Sequence, residues 1–317
     1  MLDLKTKLQN EMTRLLNENL VDVFIAFKKE DSPLRPQPAF FRNTKELAQL
    51  EYNGLCQNNL ANYLPKYSQE TRIGMVVRGC ESRSVNALIV EKQHPRQNLY
   101  LVGIPCSGII DLKKIINSVG EEVTSFEEDE DIVSVVHKGQ EIKFNRRELL
   151  HDSCLNCVYP NPVNADVMLT EPLPEGDPSI VREKVESFQE LSRSERYEWF
   201  RHEAERCIRC YACREACPMC YCSECFVDHA TPRWSESTVS PAGKHAWHII
   251  RAFHQTGRCT SCGACERACP MDIKMTYLTD KLNFDMYENY EFVPGMDEKT
   301  QPPFASFNMD DKKRFVL

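Results

Sequence analysis

The sequence is short of glycine, of positive charge and of long apolar runs. Its 317 residues include only twelve glycines, and no G-x-G-x-x-G fingerprint of a dinucleotide site occurs. A net charge of −8 argues against nucleic acid as a partner, because phosphate binding needs clustered lysine and arginine. No run approaches the roughly 20 apolar residues of a membrane span, and no signal-like segment opens the chain. We therefore expect a cytoplasmic protein without direct membrane insertion, and no catalytic triad or carboxylate pair stands out.

Cysteine, by contrast, is abundant. Eleven of the sixteen cysteines lie between residues 207 and 269, and eight of these form two blocks that each read C-x2-C-x2-C-x3-C-P. Bacterial two-cluster ferredoxins use this run to hold [4Fe–4S] clusters, and the fourth cysteine of each run binds the other cluster. The spacing therefore predicts two crossed ligand sets. They are Cys207, Cys210, Cys213 and Cys269 for the first cluster, and Cys259, Cys262, Cys265 and Cys217 for the second.

Structural zinc and disulfides are the alternatives for these two blocks. Zinc sites usually take two C-x2-C pairs, which leaves the third cysteine and the Cys-Pro step of each block without a role. Disulfides between cysteines so close in sequence would close no useful loop, and nothing suggests secretion. The pattern therefore favours two iron–sulfur clusters.

The first half of the chain, residues 1–170, is predicted to be an α/β domain with a mainly parallel sheet. Apolar strands over 72–77 and 98–104 enclose a helix over about 82–93, which is the βαβ pattern. Other elements are predicted as follows: helices over 2–20 and 44–63, a solvated acidic loop over 121–131 and a β-hairpin over 132–144.

The second half is predicted to be a mostly helical, ferredoxin-like domain with two [4Fe–4S] clusters, spanning 180–285. A proline-containing linker over 171–179 precedes it, and an extended tail over 286–317 follows it. One long helix over 180–206 should lead into the first cysteine block. A further helix, over 243–255, separates the blocks, which is typical of a helical two-cluster module rather than a compact β-ferredoxin.

Four cysteines outside the blocks suggest a third metal site. Cys80 and Cys106 follow the two predicted strands, and Cys154 and Cys157 form a C-x2-C pair in a proline-rich loop. Because sites in α/β sheets lie beyond the carboxyl ends of the strands, we expect these four thiols to meet. The sequence leaves open whether they bind a third [4Fe–4S] cluster or zinc.

The remaining cysteines have less certain roles. A close group follows the first block, and its members could serve as additional ligands or tune the neighbouring cluster through hydrogen bonds to sulfur. These are Cys220, Cys222 and Cys225. Cys56 has no cysteine neighbour in sequence and is interpreted as a small buried hydrophobic residue.

Four segments of the chain together resemble the beta-subunit family of deazaflavin-reducing hydrogenases and formate dehydrogenases, in a version whose dicluster module is C-terminal. They are Arg-Gly-Cys80-Glu-Ser-Arg83, Val-Gly-Ile-Pro-Cys106-Ser-Gly, the Cys154–Cys157 pair with Tyr-Pro-Asn-Pro, and Cys-Pro-Met-Cys-Tyr-Cys-Ser-Glu-Cys225. The helical module is also similar to the small iron–sulfur subunit of heterodisulfide reductases.

The resemblance implies an oxidoreductase subunit of an anaerobic multi-subunit complex, of the formate dehydrogenase, hydrogenase or heterodisulfide reductase kind. It would relay single electrons between a catalytic subunit and another iron–sulfur or flavin module. Many family members bind a flavin, which implies an alternative: a subunit with its own FAD that reduces a deazaflavin or nicotinamide coenzyme. That alternative requires a cofactor pocket within residues 70–165.

Overall fold

The computed structural model describes residues 2–236 and 238–306. Eight strands form two sheets in its first half. The strands are β1 (Val23–Lys28), β2 (Gln37–Phe41), β3 (Ile73–Val77), β4 (Leu99–Gly103), β5 (Val123–Glu128), β6 (Ile132–His137), β7 (Gln140–Asn145) and β8 (Val167–Met168). The larger sheet has the order β2-β1-β3-β4-β8 and the smaller one the order β5-β6-β7.

The larger sheet is mainly parallel, which confirms the predicted fold class. Strands β1, β3, β4 and β8 run parallel, and only the edge strand β2 is antiparallel to its neighbour. Every residue of β3 is buried, as expected for a strand covered on both faces. Val77 at the end of β3 lies opposite Gly103 at the end of β4, so both strands finish at the same edge.

Ten α-helices accompany these strands in the described part of the chain. They are α1 (Leu2–Asn17), α2 (Gly79–Val90), α3 (Leu112–Val119), α4 (Asp152–Leu155), α5 (Pro178–Glu190), α6 (Arg193–Glu205), α7 (Ala212–Glu215), α8 (Pro241–His254), α9 (Ala264–Arg267) and α10 (Thr276–Tyr290). Helix α1 covers the sheet with Leu8, Met12 and Leu15. Helix α2 connects β3 to β4 and completes the predicted βαβ unit.

The smaller sheet confirms one prediction and corrects another. Strands β6 and β7 form the predicted hairpin, with a turn at Lys138 and Gly139. The acidic segment 121–131, predicted to be a solvated loop, instead contains β5. Its Val123 joins an apolar core with Val133, and its Glu128 pairs with Arg146 at 3.5 Å. The strand forms because these inward groups find partners while the other acidic side chains remain in water.

Two predicted helices are interrupted. The segment 44–63 forms two 3₁₀ helices, at Thr44–Gln49 and Leu60–Lys66, instead of one α-helix. Each begins where an asparagine, Asn43 or Asn59, accepts a backbone N–H two residues ahead, which competes with continuous helix. The segment 180–206 divides into α5 and α6, because Ser192 starts a new helix with a capping box.

The region after residue 178 is mostly helical, as predicted, and α8 lies between the two cysteine blocks. Helix α10 extends to Tyr290, beyond the residue 285 at which the helical domain was expected to end. Residues after it return to the α/β half, where Asn86 donates a hydrogen bond to the Gly295 carbonyl at 2.9 Å. Residues 307–317 of the predicted tail lie outside the described residues. The domain limits themselves remain predictions.

No helix within residues 2–236 and 238–306 is both long and apolar enough to cross a membrane.

Candidate metal centres

The two cysteine blocks fold alike. In each block the residues before and after the second cysteine adopt left-handed backbone conformations, at Arg209 and Tyr211 in the first and at Ser261 and Gly263 in the second. A single helical turn, α7 or α9, follows at the equivalent position. Such alternation turns backbone N–H groups toward one concave side, which suits negatively charged sulfur. The repeat seen in the sequence is therefore also a repeat of local structure.

The first predicted ligand set converges as expected from the crossed pattern. Its four thiols line one small cavity and interact electrostatically with one another; they are Cys207, Cys210, Cys213 and Cys269. Cys269 belongs to the second block yet is buried among the thiols of the first. Trp247 of α8 lines the same cavity, and its ring makes a T-shaped contact with Tyr211 at 5.0 Å.

The second predicted ligand set also comes together. The thiol of Cys259 interacts electrostatically with Cys262 and Cys217, and that of Cys265 with Cys217 and Cys259. Burial raises the pKa of Cys259 to about 12. A thiol with this pKa is neutral at pH 7 in the absence of metal, so metal binding must release its proton. We call these two groups the first and second sites.

The third site assembles at the carboxyl edge of β3 and β4. Cys80 interacts electrostatically with Cys106, and Cys106 and Cys157 both interact with Cys154. The backbone N–H of Ile109 donates to the sulfur of Cys154 at 3.3 Å. The four thiols meet because neighbouring parallel strands end together and the loop over 154–157 returns to that edge.

Gly79 permits this close approach of the returning loop. A Cβ atom at position 79 would lie 2.2 Å from the carbonyl oxygen of Tyr159. The Arg-Gly-Cys segment therefore needs glycine for space rather than for an unusual backbone angle.

A buried ion pair fixes the beginning of α2 beside Cys80. The Arg78 guanidinium binds both carboxylate oxygens of Glu81 at 2.9 Å and donates to the backbone carbonyls of Cys56 and Asn58. The Glu81 carboxylate also accepts the Leu60 N–H at 3.1 Å. Since each charged group has several partners, the pair is well satisfied despite its burial.

The second and third sites are neighbours across the contact between the two halves of the chain. The thiols of Cys80 and Cys262 interact electrostatically. Close to them, the hydroxyl groups of Ser84 and Thr260 lie 3.0 Å apart. A Cβ at Gly263 would lie 2.2 Å from Ser153 Oγ, so the α/β half and the second block pack tightly.

The other cysteines lie outside the three sites. Cys220 sits beside Cys217 and accepts a hydrogen bond from the Gln255 amide at 3.4 Å, so it borders the second site. Cys222 is exposed, Cys225 is half-buried, and Cys56 is buried. Burial raises the pKa of Cys56 to about 12, in accord with its interpretation as an apolar residue. Sequence reasoning missed Gln255, because no pattern marks an isolated amide that approaches sulfur.

The donors suit iron–sulfur clusters by type and by number. All sixteen cysteines are free thiols. Among the described residues, no three histidine, cysteine or carboxylate side chains converge as ligands of one metal ion. A single zinc ion draws thiolates to about 2.3 Å, whereas a cubane accepts thiolates at separate corners. Three sets of four thiols supply the type and number of donors that three cubanes would need.

Comparison with known proteins supports this interpretation of the cysteine blocks. Residues 203–273 match a family model described as a 4Fe-4S dicluster domain. Two relatives are the beta subunit of F420-dependent formate dehydrogenase from Methanocaldococcus jannaschii and that of F420-dependent formate dehydrogenase 1 from Methanococcus maripaludis. The first is 26% identical to this chain, over 92% of this chain and 91% of its own length. The second is 24% identical, over 91% of this chain and 90% of its own length. Both are oxidoreductase subunits, and the predicted resemblance is confirmed.

A solved structure was also matched: a chain of the F420-reducing [NiFe] hydrogenase complex from Methanosarcina barkeri. It is 15% identical, with a TM-score of 0.39 over 47% of this chain and 57% of that chain.

The ion pair beside Cys80 gives a prediction about stability. Arg78→Met should destabilise the protein by about 3–5 kcal/mol, because it leaves the Glu81 carboxylate buried without its partner. Arg72→Met is the matched control: it breaks the exposed Arg72–Asp22 pair, which water screens, and should change the stability much less. Anaerobic urea unfolding would measure both. Equal stability of the two variants would contradict the role assigned to Arg78.

Proposed function

The chain is a relative of the beta subunits of F420-dependent formate dehydrogenases over 92% of its length, and from this premise we propose that it is the electron-transfer subunit of a multi-subunit oxidoreductase. It would relay single electrons between a catalytic subunit and another iron–sulfur or flavin module. The observation that carries the proposal is the contiguous arrangement of three four-cysteine sites. Bound [4Fe–4S] clusters supply reversible one-electron chemistry.

The proposed ligands are the twelve cysteines of the three sites. The first and second sites take one cysteine from the opposite block, Cys269 and Cys217 respectively. At the third site we favour a [4Fe–4S] cluster over zinc, because Cys80 acts on Cys262 of the second site, and a redox centre in that position would extend the relay. Cys220, Cys222 and Cys225 are not proposed as ligands, and Cys220 would act on the second site only through its contact with Cys217.

The order of the sites supports a linear relay. The second site adjoins the first because each of the two contains one cysteine of the opposite block, Cys217 or Cys269. It adjoins the third site through the contact of Cys80 with Cys262. Cys210 at the first site and Cys157 at the third are both exposed, whereas every cysteine of the second site is partly covered. The outer sites would therefore exchange electrons with partner subunits, and the second site would connect them.

One cavity favours the alternative of a subunit with its own flavin. It has a volume of about 410 Å³, reaches Cys80 and Cys157, and is lined by the aromatic rings of Tyr159, Phe284 and Tyr287. Only part of its lining comes from residues 70–165, where a cofactor pocket was expected. A yellow flavin that copurifies with the chain in stoichiometric amount would favour this alternative, and a colour due to iron–sulfur alone would favour the simple relay.

The crossed assignment can be tested by cysteine replacement. Cys213→Ser and Cys269→Ser should abolish the same EPR signal of the reduced protein, because both remove a ligand of the first site. Cys217→Ser and Cys265→Ser should together abolish a different signal. Cys222→Ser is the control and should leave every signal intact, since this exposed thiol belongs to no site.

The result that would refute the assignment is loss of different signals in Cys213→Ser and Cys269→Ser. The relay itself would be refuted if the unaltered protein, loaded with clusters under anaerobic conditions, showed no reversible reduction.

A further inference from the structure

Three buried arginines within the described residues lack a carboxylate partner: Arg83, Arg209 and Arg251. Arg209 lies inside the first cysteine block and donates to the Tyr211 hydroxyl and to the backbone carbonyls of Glu236, Thr238 and Gly243, so the other two are the ones that lie between sites. Arg78 pairs with Glu81, and Arg146 pairs with Glu128. Arg83 and Arg251 are each only 5% exposed, yet no carboxylate within the described ranges lies within 4 Å of either guanidinium. A buried cation costs several kcal/mol unless opposite charge compensates it. Negative charge close to either of these two arginines would offset that cost.

Arg251 lies between the first and second sites. It projects from α8 and donates through Nη2 to the backbone carbonyl of Cys213 at 3.1 Å. Its Nε has no hydrogen-bond partner in the part of the chain that the structure describes. Its charge acts on thiols of both sites: Cys213 of the first, and Cys217 and Cys265 of the second. It acts also on Cys220, which borders the second site.

Arg83 occupies the corresponding position between the second and third sites. Its guanidinium donates to the Pro294 carbonyl at 3.0 and 2.9 Å and to the Thr260 carbonyl at 3.4 Å. It also lies 4.6 Å from the centre of the Tyr159 ring. Its charge acts on thiols of both neighbouring sites: Cys80 and Cys157 of the third, and Cys259 of the second. These bonds to carbonyls hold the side chain in place without neutralising it.

We propose that Arg251 and Arg83 are positioning residues that each supply one shared positive charge to two adjacent clusters and so raise the reduction potentials of both. The proposal rests on the proposed relay function. Four thiolates make each loaded site negative, and reduction adds one further negative charge. A nearby cation in a region of low dielectric stabilises the more negative, reduced form to a greater extent. Charge and burial around a cluster are known determinants of its potential.

Because each arginine lies between two sites, its replacement should change the reduction potentials of those two sites and not of the remaining one. Arg251→Gln should lower the potentials of the first and second sites and leave the third unchanged. Arg83→Gln should lower the potentials of the second and third sites and leave the first unchanged. We expect each affected ratio of reduced to oxidised cluster, at a fixed potential, to fall about tenfold, which corresponds to about 59 mV for one electron.

The experiment is an anaerobic, EPR-monitored redox titration of the cluster-loaded full chain. Cysteine variants of each site assign the signals. Arg251→Lys keeps the charge and should retain both potentials near those of the unaltered protein. Lys244→Gln is a matched control on the same helix, because Lys244 is only partly buried and acts on Cys207, a thiol of the first site. It should produce a smaller shift, confined to the first site.

Three outcomes would overturn the proposal. They are unchanged potentials in both glutamine variants, equal shifts at all three sites in either variant, or potentials in Arg251→Lys as low as those in Arg251→Gln. If one glutamine variant does not assemble its clusters, the other variant still tests the proposal. Its potentials must fall at two adjacent sites and stay unchanged at the remaining site. Failure of the relay is distinguishable, since it would appear in the unaltered protein as clusters that cannot be reduced reversibly.

Discussion

The placement of Cys217 and Cys269 beside the opposite cysteine block is the constraint on which the second half of the chain depends. Each group of four thiols is complete only when the two blocks are in contact, so under the proposed ligand assignment the two short repeats cannot act separately. The segment between them, with α8, must therefore pack against both blocks. Trp247 and Arg251 achieve this from one helix: Trp247 covers the first site, and Arg251 reaches the thiols of both.

The α/β half contributes a site by a different physical route. Parallel pairing of β3 with β4 brings Val77 and Gly103 to one edge, and the loops that follow carry Cys80 and Cys106. The Arg78–Glu81 pair fixes the first of these loops. Packing of Gly263 on Ser153 then brings the third site next to the second. The parallel sheet thus positions one group of four cysteines, the proposed third metal site, against a helical module.

Much of this arrangement could be predicted from residue spacing, because the ligands of a cubane follow a strict local pattern. The third set could be predicted from the ends of two strands, which carry Cys80 and Cys106, together with the C-x2-C pair of Cys154 and Cys157. Other features depend on tertiary partners that no local pattern reveals. The acidic segment became β5 because Glu128 meets Arg146, and the long helix divides where Ser192 and Glu195 cap a new one. Likewise, Arg83 and Arg251 look like ordinary surface charges in the sequence, and only their burial between sites distinguishes them.

The measurement that tests the account most directly is the content of iron, acid-labile sulfide and zinc per chain in protein purified without oxygen. A relay of three cubanes requires about twelve iron atoms and about twelve sulfides per chain, with no stoichiometric zinc. About eight iron atoms together with one zinc would contradict the central claim, because the third site would then be a structural metal site outside the path of electrons.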